Sequence, residues 1–317
     1  MRGQLRVVGE VVRDPRLLRI ELAFFGFNAA EFGTWVAILV YAFNRGGASL
    51  AGTVAAIQLV PSGLVAPFGA FAGDRFRRDR VLFFAYLVQA VALASVAVAL
   101  TADAPFALTL AVAAVASASL TFTRPTQSAL LPSVARNAEE LTAANAVSTF
   151  SENAGVVVGP FVAGVVLARW GPGQVFALFA AVMAVAALLV ARLRVSAEDV
   201  EPAEPMGARD VVRESFGGFR FLFHDRHAGL LVLVLSGGIV AWGALDVLFV
   251  AVAITLLGKG EGWAGFLSSA SGLGGLIGSV LAVGLVGRRR LVPALGGGSV
   301  AFGGSVIRRR SCGCTSQ

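Results

Sequence analysis

Residues 69–80 read GAFAGDRFRRDR and join two long apolar runs, at about 49–72 and 81–102. A run of roughly 20 predominantly apolar residues is long enough to cross the hydrocarbon core of a bilayer as a helix. Arginines crowded into a short segment between two such runs are typical of a cytoplasmic loop. The stretch therefore predicts a helical hairpin in a membrane, with its basic turn on the inside.

The rest of the chain repeats this arrangement of apolar runs and polar loops. Hydrophobic residues make up 56% of the 317 residues and charged residues only 14%, whereas a soluble domain carries about 25% charged residues. The composition therefore predicts an all-α membrane protein whose main partner is the lipid bilayer. The predicted spans are 20–43, 49–72, 81–102, 105–127, 143–168, 173–191, 229–257 and 263–286, with a weaker ninth span at 291–307.

The distribution of basic residues predicts the orientation in the membrane. With a cytoplasmic N-terminus, the inner segments hold 19 arginines, and the outer loops hold only Arg45, Arg169 and Lys259. This asymmetry follows the positive-inside rule and predicts a multi-pass protein of a cell membrane, inner or plasma. The net charge of +7 does not indicate a nucleic-acid partner, because the arginines are clustered between apolar runs.

An internal repeat is the strongest long-range pattern. Gly52 precedes Arg75 by 23 residues, and Gly265 precedes Arg288 by the same 23 residues. Six predicted spans begin before the second copy starts, so both copies have the same membrane orientation, as in transporters built from parallel repeats. Chance matching of apolar helices is the alternative explanation.

We accordingly predict four regions. Residues 1–192 form a complete six-helix N-terminal bundle, and residues 229–307 form a partial C-terminal bundle of helices seven to nine. Residues 193–228 form a cytoplasmic linker that includes an amphipathic helix on the membrane surface, with a plain solvated loop as the alternative. Residues 308–317 form an aberrant polar tail.

The first basic loop resembles the signature of the major facilitator superfamily, G-x-x-x-D-R-x-G-R-R. Asp74, Arg75 and Arg78 match this signature, while Ala70 and Arg77 stand where the family has glycines. The resemblance implies a major-facilitator-like bundle and an inner-gate latch, in which the aspartate faces helix N-termini and arginines of the opposing bundle. A membrane anchor with no further role is the alternative.

The fifth span carries a second resemblance to the same superfamily. Gly155, Gly159, Pro160 and Gly164 are similar to its helix-5 pattern G-x-x-x-G-P-x-x-G-G, which is associated with antiport, although Ala163 replaces one glycine. Glycines four residues apart allow a neighbouring helix to approach closely, and an internal proline bends a helix. Ordinary helix packing is the rival explanation.

A third resemblance concerns the junction of the fourth and fifth spans. Residues 124–132 read RPTQSALLP and residues 140–145 read ELTAAN. Both segments are similar to the macrolide-efflux and enterobactin-exporter branch of the superfamily. This resemblance implies export of drug-like or siderophore-like small molecules.

Polar side chains inside the apolar runs are the candidates for a proton and substrate path. Each charge near the bilayer centre costs about 2.5–3.5 kcal/mol, and an apolar setting disfavours the charged form of a carboxyl group. We therefore predict Glu31 and Asp246 as proton sites and expect Arg124 to pair with Glu152, while purely structural pairing remains equally open. The full set is Asn28, Glu31, Arg124, Glu152, Asn153 and Asp246.

The sequence contains no nucleophile-plus-base constellation, so we predict that the protein is not an enzyme. It also predicts no cofactor and no metal site. Cys312 and Cys314 have the wrong spacing for zinc, and His224 and His227 are expected on a solvated face.

Together these features predict a proton-coupled exporter that works by alternating access. The second repeat would extend well beyond residue 317, and Arg308, Arg309 and Arg310 fall where an apolar helix is expected, at a cost of about 9 kcal/mol. We therefore expect a C-terminally truncated chain that is inactive as a transporter. The alternatives are a half-transporter completed by a second chain and a non-transporting membrane remnant or helix-bundle partner.

Overall fold

The computed structural model describes residues 14–75, 77–191, 193 and 226–283, with side chains except at 64–75 and at parts of 226–239 and 278–283. Predictions for the surface helix of the linker, the ninth span and the polar tail lie outside these residues. The helices are α1 Pro15–Arg75, α2 Arg78–Thr101, α3 Phe106–Leu120, α4 Thr123–Val134, α5 Ala138–Arg169, α6 Pro172–Ala191, α7 Arg226–Ala251, continued by a π-turn at Val252–Leu256, and α8 Gly262–Val283.

The described part of the chain contains helices and no strand, which confirms the predicted all-α fold. Among the described residues, five helical segments are long and apolar enough to cross a bilayer, and Val240–Leu256 is a shorter apolar segment. Helical spans satisfy all backbone groups within one segment, which a bilayer requires. The protein is therefore a multi-pass membrane protein. The five segments are Pro15–Gly63, Arg78–Thr101, Phe106–Val134, Ala138–Arg169 and Pro172–Ala191.

The first and second predicted spans are the two arms of α1. The helix is interrupted at Gly46 and Gly47, whose backbone angles are not helical. Gly47 has a φ of 65°, in the left-handed region that glycine adopts without a steric penalty. We call residues 15–45 the first arm and residues 48–75 the second arm.

The predicted fourth span, 105–127, is not one helix, which corrects the sequence-based boundary. It divides into α3 and α4, with a break at Thr121 and Phe122, where the N–H of Thr121 bonds to the carbonyl of Ala118 at 3.3 Å. Pro125 explains the break, because it has no N–H to donate to the preceding turn and is best tolerated in the first turn of a new helix. Arg124 consequently lies at the start of α4.

Helix α1 packs against α3, α4, α5, α6 and α7, and Leu17, Ile20 and Phe27 are fully buried along its first arm. Large apolar side chains are exposed on the surrounding helices, such as Val98 on α2 and Leu188 on α6. Lipid is as apolar as these side chains, so in a bilayer they need no polar cover.

Several loops that were predicted to be outside gather at one end of the bundle. The guanidinium of Arg45 lies 5.7 Å from the ring centre of Phe106, and the amide of Asn44 donates to the Glu261 carboxylate at 2.7 Å. These contacts join the loop between the arms of α1 to the beginnings of α3 and α8.

The chain divides into two compact units, Met1–Leu273 and Gly274–Gln317. The first unit contains every helix up to the first half of α8. In the second unit, the described residues are the end of α8, from Gly274 to Val283. All contacts discussed below lie within the first unit.

The orientation can be tested by cysteine labelling after Cys312→Ser and Cys314→Ser remove the native thiols. We expect Asp103→Cys, in the exposed turn before α3, to react with an impermeant reagent only from outside the cell. Glu139→Cys, at the exposed start of α5, should react only from the cytoplasmic side. Labelling in the opposite sense would invert the predicted topology.

Candidate functional site

Arg124 joins three helices near the middle of the bundle. Its guanidinium forms an ion pair with Glu152 on α5 and a second ion pair with Glu31 on α1, where the Nη2–Oε2 distance is 2.5 Å. Nη2 also donates to Oδ1 of Asn28 at 3.1 Å. The structure therefore forms the pair of Arg124 and Glu152 that was expected from the sequence, and it adds two partners from the first arm.

Local contacts hold these partners in place. Asn28 is fully buried, and its Nδ2 donates to the carbonyl of Phe24 at 2.8 Å, so that Oδ1 is left to accept from Arg124. The Arg124 guanidinium also lies 5.6 Å from the ring centre of Phe27, a cation–π distance. We call Asn28, Glu31, Arg124 and Glu152 the Arg124 cluster.

The Arg124 cluster carries one cation and two carboxyl groups. About a third of the Arg124 side chain and somewhat less of Glu31 are exposed, so the cluster lies at a surface rather than deep in the core. When both carboxyl groups are ionised, one negative charge has no cation to balance it. A cluster of this kind can bind a proton or a cation.

Asp246 approaches the same region from α7. Its Oδ2 accepts a hydrogen bond from Nε1 of Trp35 at 2.9 Å, which joins α7 to the first arm of α1. No ion pair of Asp246 occurs among the described residues, so its carboxyl group has only this neutral donor. Nothing in the sequence indicated that Trp35 would be the partner.

A cavity of about 400 Å³ connects the Arg124 cluster with Asp246. Its wall combines two acidic groups, the Arg124 guanidinium, four aromatic rings and a few amide or hydroxyl groups, and the remainder is aliphatic or glycine. A mainly apolar concave site with a few converging polar groups is the usual form of a small-molecule site. The polar and aromatic members of the lining are Glu31, Phe32, Thr34, Trp35, Gln58, Ser62, Ser117, Thr121, Arg124, Phe176, Trp242 and Asp246.

Two polar residues behave differently from the sequence-based expectation. Gln58 was not anticipated as a site residue, yet it lines the cavity and its Oε1 accepts from the hydroxyl of Ser117 at 2.5 Å. Its position as the only amide in the apolar run 49–72 was the signal available. Asn153 does not join the Arg124 cluster, because its Nδ2 donates to the carbonyl of Thr149 on its own helix at 2.8 Å.

The glycines of α5 pack against two different helices, α1 and α8. Gly155 and Gly159 lie against the backbone of Asn28 and Ala29 on α1, so closely that an added Cβ at either glycine would overlap it. Gly164, one turn further on, meets Gly262 on α8. The small-residue surface predicted for this helix is thus divided between α1 and α8.

Further contacts hold α5 against α8. The hydroxyl of Ser269 donates to the carbonyl of Val157 at 2.8 Å, and the rings of Phe161 and Phe266 lie 5.6 Å apart. A Cβ at Gly265 would overlap the carbonyl of Pro160. Pro160 has no N–H to donate within α5, and its own carbonyl is the group that packs closely against Gly265.

Comparison with known proteins agrees with this architecture. The family model for the Major Facilitator Superfamily matches residues 20–308, most of the chain. The chain belongs to the major facilitator superfamily. Proteins of this superfamily are membrane transporters rather than enzymes, which agrees with the absence of a catalytic constellation from the sequence.

The fold of this superfamily member is also found among solved structures. One of them is described as "Crystal structure of D-xylose-proton symporter"; it has a TM-score of 0.55 and 15% sequence identity, and the match covers 86% of this chain and 68% of that chain. At this identity the similarity shows the fold alone. No curated protein matches the chain.

The superfamily's latch residues are only partly described. Asp74 and Arg75 end the second arm of α1, and their side chains are outside the described set; Arg78 begins α2. In the same loop Arg77 forms an ion pair with Asp79 at 3.0 Å. The assignment of Asp74, Arg75 and Arg78 to an inner-gate latch stays a prediction.

Proposed function

We propose that this protein exports drug-like or siderophore-like small molecules in exchange for protons, by alternating access, in the plasma membrane and with its N-terminus in the cytoplasm. The observation that carries the proposal is the cavity of about 400 Å³ with Glu31 and Asp246 in its wall. These carboxyl groups come from the two halves of the repeat, so a ligand between them contacts both halves.

The lining favours an amphipathic organic cation among such substrates. Trp35 and Trp242, with Phe32 and Phe176, offer aromatic faces to an apolar or positively charged group. Asp246 offers a carboxylate without a cationic partner among the described residues. A cavity of this volume lies within the range of about 300–1,000 Å³ that is common for small-molecule sites.

Exchange follows from the charge of the site. With Glu31 and Asp246 ionised, the two carboxylates in the wall outweigh its one cation, Arg124, and the wall attracts a cationic substrate. Binding of protons removes that charge and weakens substrate binding. Protons and substrate therefore compete for the same wall, which is the thermodynamic basis of antiport.

Helix α5 is suited to transmit this competition to the rest of the bundle. Its glycines allow close, smooth contacts with α1 on one side and with α8 on the other. We propose that the two halves rock along these contacts, and that the Asp74 latch holds the inner side closed. The solved relative with a similar fold is a proton symporter by its title, which supports the use of protons by this fold.

Binding and transport should be measured on the reconstituted protein with a fluorescent lipophilic cation. Ligand in the cavity is expected to quench the fluorescence of Trp35 and Trp242, and a proton gradient should drive dye efflux from vesicles. Binding without efflux would leave the site intact, contradict the transport cycle and agree with the inactivity that the sequence analysis expects. Absence of binding, with the fold intact, would overturn the proposed site.

We expect the combined variant Glu31→Gln and Asp246→Asn to lose the pH dependence of cation binding and gradient-driven efflux. Coupling between two binding sites is typically about 1–3 kcal/mol, or roughly 5–150-fold in affinity, and these two carboxyl groups are proposed to supply it. The matched control is Glu139→Gln with Asp103→Asn, which neutralises two exposed carboxyl groups outside the cavity. Unchanged pH dependence in the cavity variant would exclude both residues as coupling sites.

A further inference from the structure

We propose that Glu21 is a proton-binding carboxyl group at the contact of α1 with α5, separate from the substrate cavity. Glu21 lies on the first arm of α1, about three turns before Glu31. Its side chain is 4% exposed, and it does not line the cavity. Proton binding by Glu21 does not depend on the proposed function. Only the role of the bound proton in transport rests on that function.

The contacts of Glu21 are with neutral groups. The hydroxyl of Ser148 donates to Oε1 at 2.6 Å, and the hydroxyl of Ser151 lies at 3.5 Å from Oε2, both on α5. No ion pair of Glu21 occurs in the described part of the chain. A buried carboxylate without a cation is costly in an apolar medium, and such a group escapes the cost by binding a proton.

No charged side chain of the other helices, Arg78 and Arg80 of α2 included, forms an ion pair with Glu21 among the described residues. Tyr86 on α2 is fully buried, and its ring lies 6.4 Å from that of Phe27 on α1; its hydroxyl has no hydrogen-bond partner among the described residues. Arg124 and Glu152 are engaged with each other and with Glu31. Asp246 on α7 is bonded to Trp35, and α3 and α6 carry no titratable side chain.

Protonation changes the hydrogen bonds that Glu21 can form. The ionised carboxylate only accepts, so both serine hydroxyls of α5 can donate to it, whereas the protonated acid has one oxygen that donates. The contact between Ser151 and Oε2 is the longer one, and we infer that Oε2 of Glu21 takes the proton. The hydroxyl of Ser151 then becomes an acceptor or finds another partner.

This contact belongs to the same helix interface as the glycines of α5. Ser151 precedes Gly155 by one turn, and Gly155 lies against Asn28 on α1. A change in the contact of Glu21 with Ser148 and Ser151 therefore acts on α5. This helix packs against both α1 and α8. We infer that the proton on Glu21 biases the position of α5, whereas the protons at Glu31 and Asp246 compete with substrate.

Infrared titration of the full 317-residue chain in liposomes tests proton binding without requiring transport. The Glu31→Gln and Asp246→Asn background removes the cavity carboxyl groups from the spectrum. We expect the C=O stretch of a protonated carboxyl group near neutral pH, which disappears in Glu21→Gln and persists in the exposed control Glu139→Gln. A spectrum unchanged by Glu21→Gln between about pH 5 and pH 9 would overturn the proposal.

Ser148→Ala provides a second way to assign the C=O band to Glu21, in case Glu21→Gln does not fold. Loss of the serine hydroxyl removes a hydrogen bond to the carboxyl group, so the C=O stretch should move to higher frequency. A band that does not move would belong to another carboxyl group and would contradict the site at the contact with α5. Failure of dye binding or efflux leaves this measurement unaffected, so it would contradict the proposed function alone.

Discussion

Arg124→Gln is expected to destabilise the folded protein, because it removes the cation that forms ion pairs with both Glu31 and Glu152. Removal of one partner from a buried ion pair typically costs about 3–5 kcal/mol, because the remaining charge is left without a partner. Arg124 is 35% exposed and Glu152 45% exposed, and solvent-exposed ion pairs contribute only about 0–1 kcal/mol, so we expect a loss of about 1–2 kcal/mol, between the two cases. Thermal unfolding in detergent should show a lower midpoint.

Neutralising the partners provides the control for this effect. In the triple variant Arg124→Gln, Glu31→Gln and Glu152→Gln no charge is left unpaired, and much of the stability should return. Arg169→Gln, at the exposed outer end of α5, should change the midpoint little. A triple variant less stable than Arg124→Gln alone would show that the charge imbalance is not the cause.

Gly159→Ala is expected to disrupt the contact of α1 with α5, although it adds a single methyl group. A Cβ at this position would overlap the backbone carbonyl of Ala29, and a backbone obstacle cannot rotate away as a side chain can. Overpacking of a core typically costs about 1–3 kcal/mol. We expect a loss of at least that size, visible as a lower unfolding midpoint and a lower yield of monodisperse protein.

Gly52→Ala is a matched control, because it makes the same change in a helix with no atom within 4 Å of the added Cβ. Alanine is favoured over glycine in a helix by about 1 kcal/mol, so this variant should be neutral or slightly stabilising. The two substitutions are thus expected to have opposite signs. A destabilisation of Gly52→Ala equal to that of Gly159→Ala would contradict the packing explanation.

The comparison of sequence and structure shows which kinds of feature are readable from a single chain. The interruption at Gly46 and Gly47 falls between two predicted spans, because a change from apolar to polar residues marks the edge of the membrane. The break within 105–127 was missed, although Thr121, Thr123 and Arg124 interrupt the apolar run there and Pro125 is typical of the first turn of a new helix.

Glu21 shows the opposite difficulty. It lies at the predicted start of the first span, where a charged residue is ordinary in an interface and raises no suspicion. Its burial depends on α5, whose Ser148 contacts it from 127 residues further along the chain.

The sequence by itself determined that the protein is an all-α, multi-pass membrane protein of this superfamily. Hydrophobic run lengths and arginine clusters are local properties that act on each span separately. Only the tertiary structure decided that Arg124 contacts Glu31 and Asn28 as well as Glu152. It also decided that Trp35 donates a hydrogen bond to Asp246. The same holds for the glycines of α5, some of which pack against α1 and one against α8. The physical reason is that the rotation and tilt of a helix in lipid depend on packing against its neighbours, and a single sequence does not specify which faces meet.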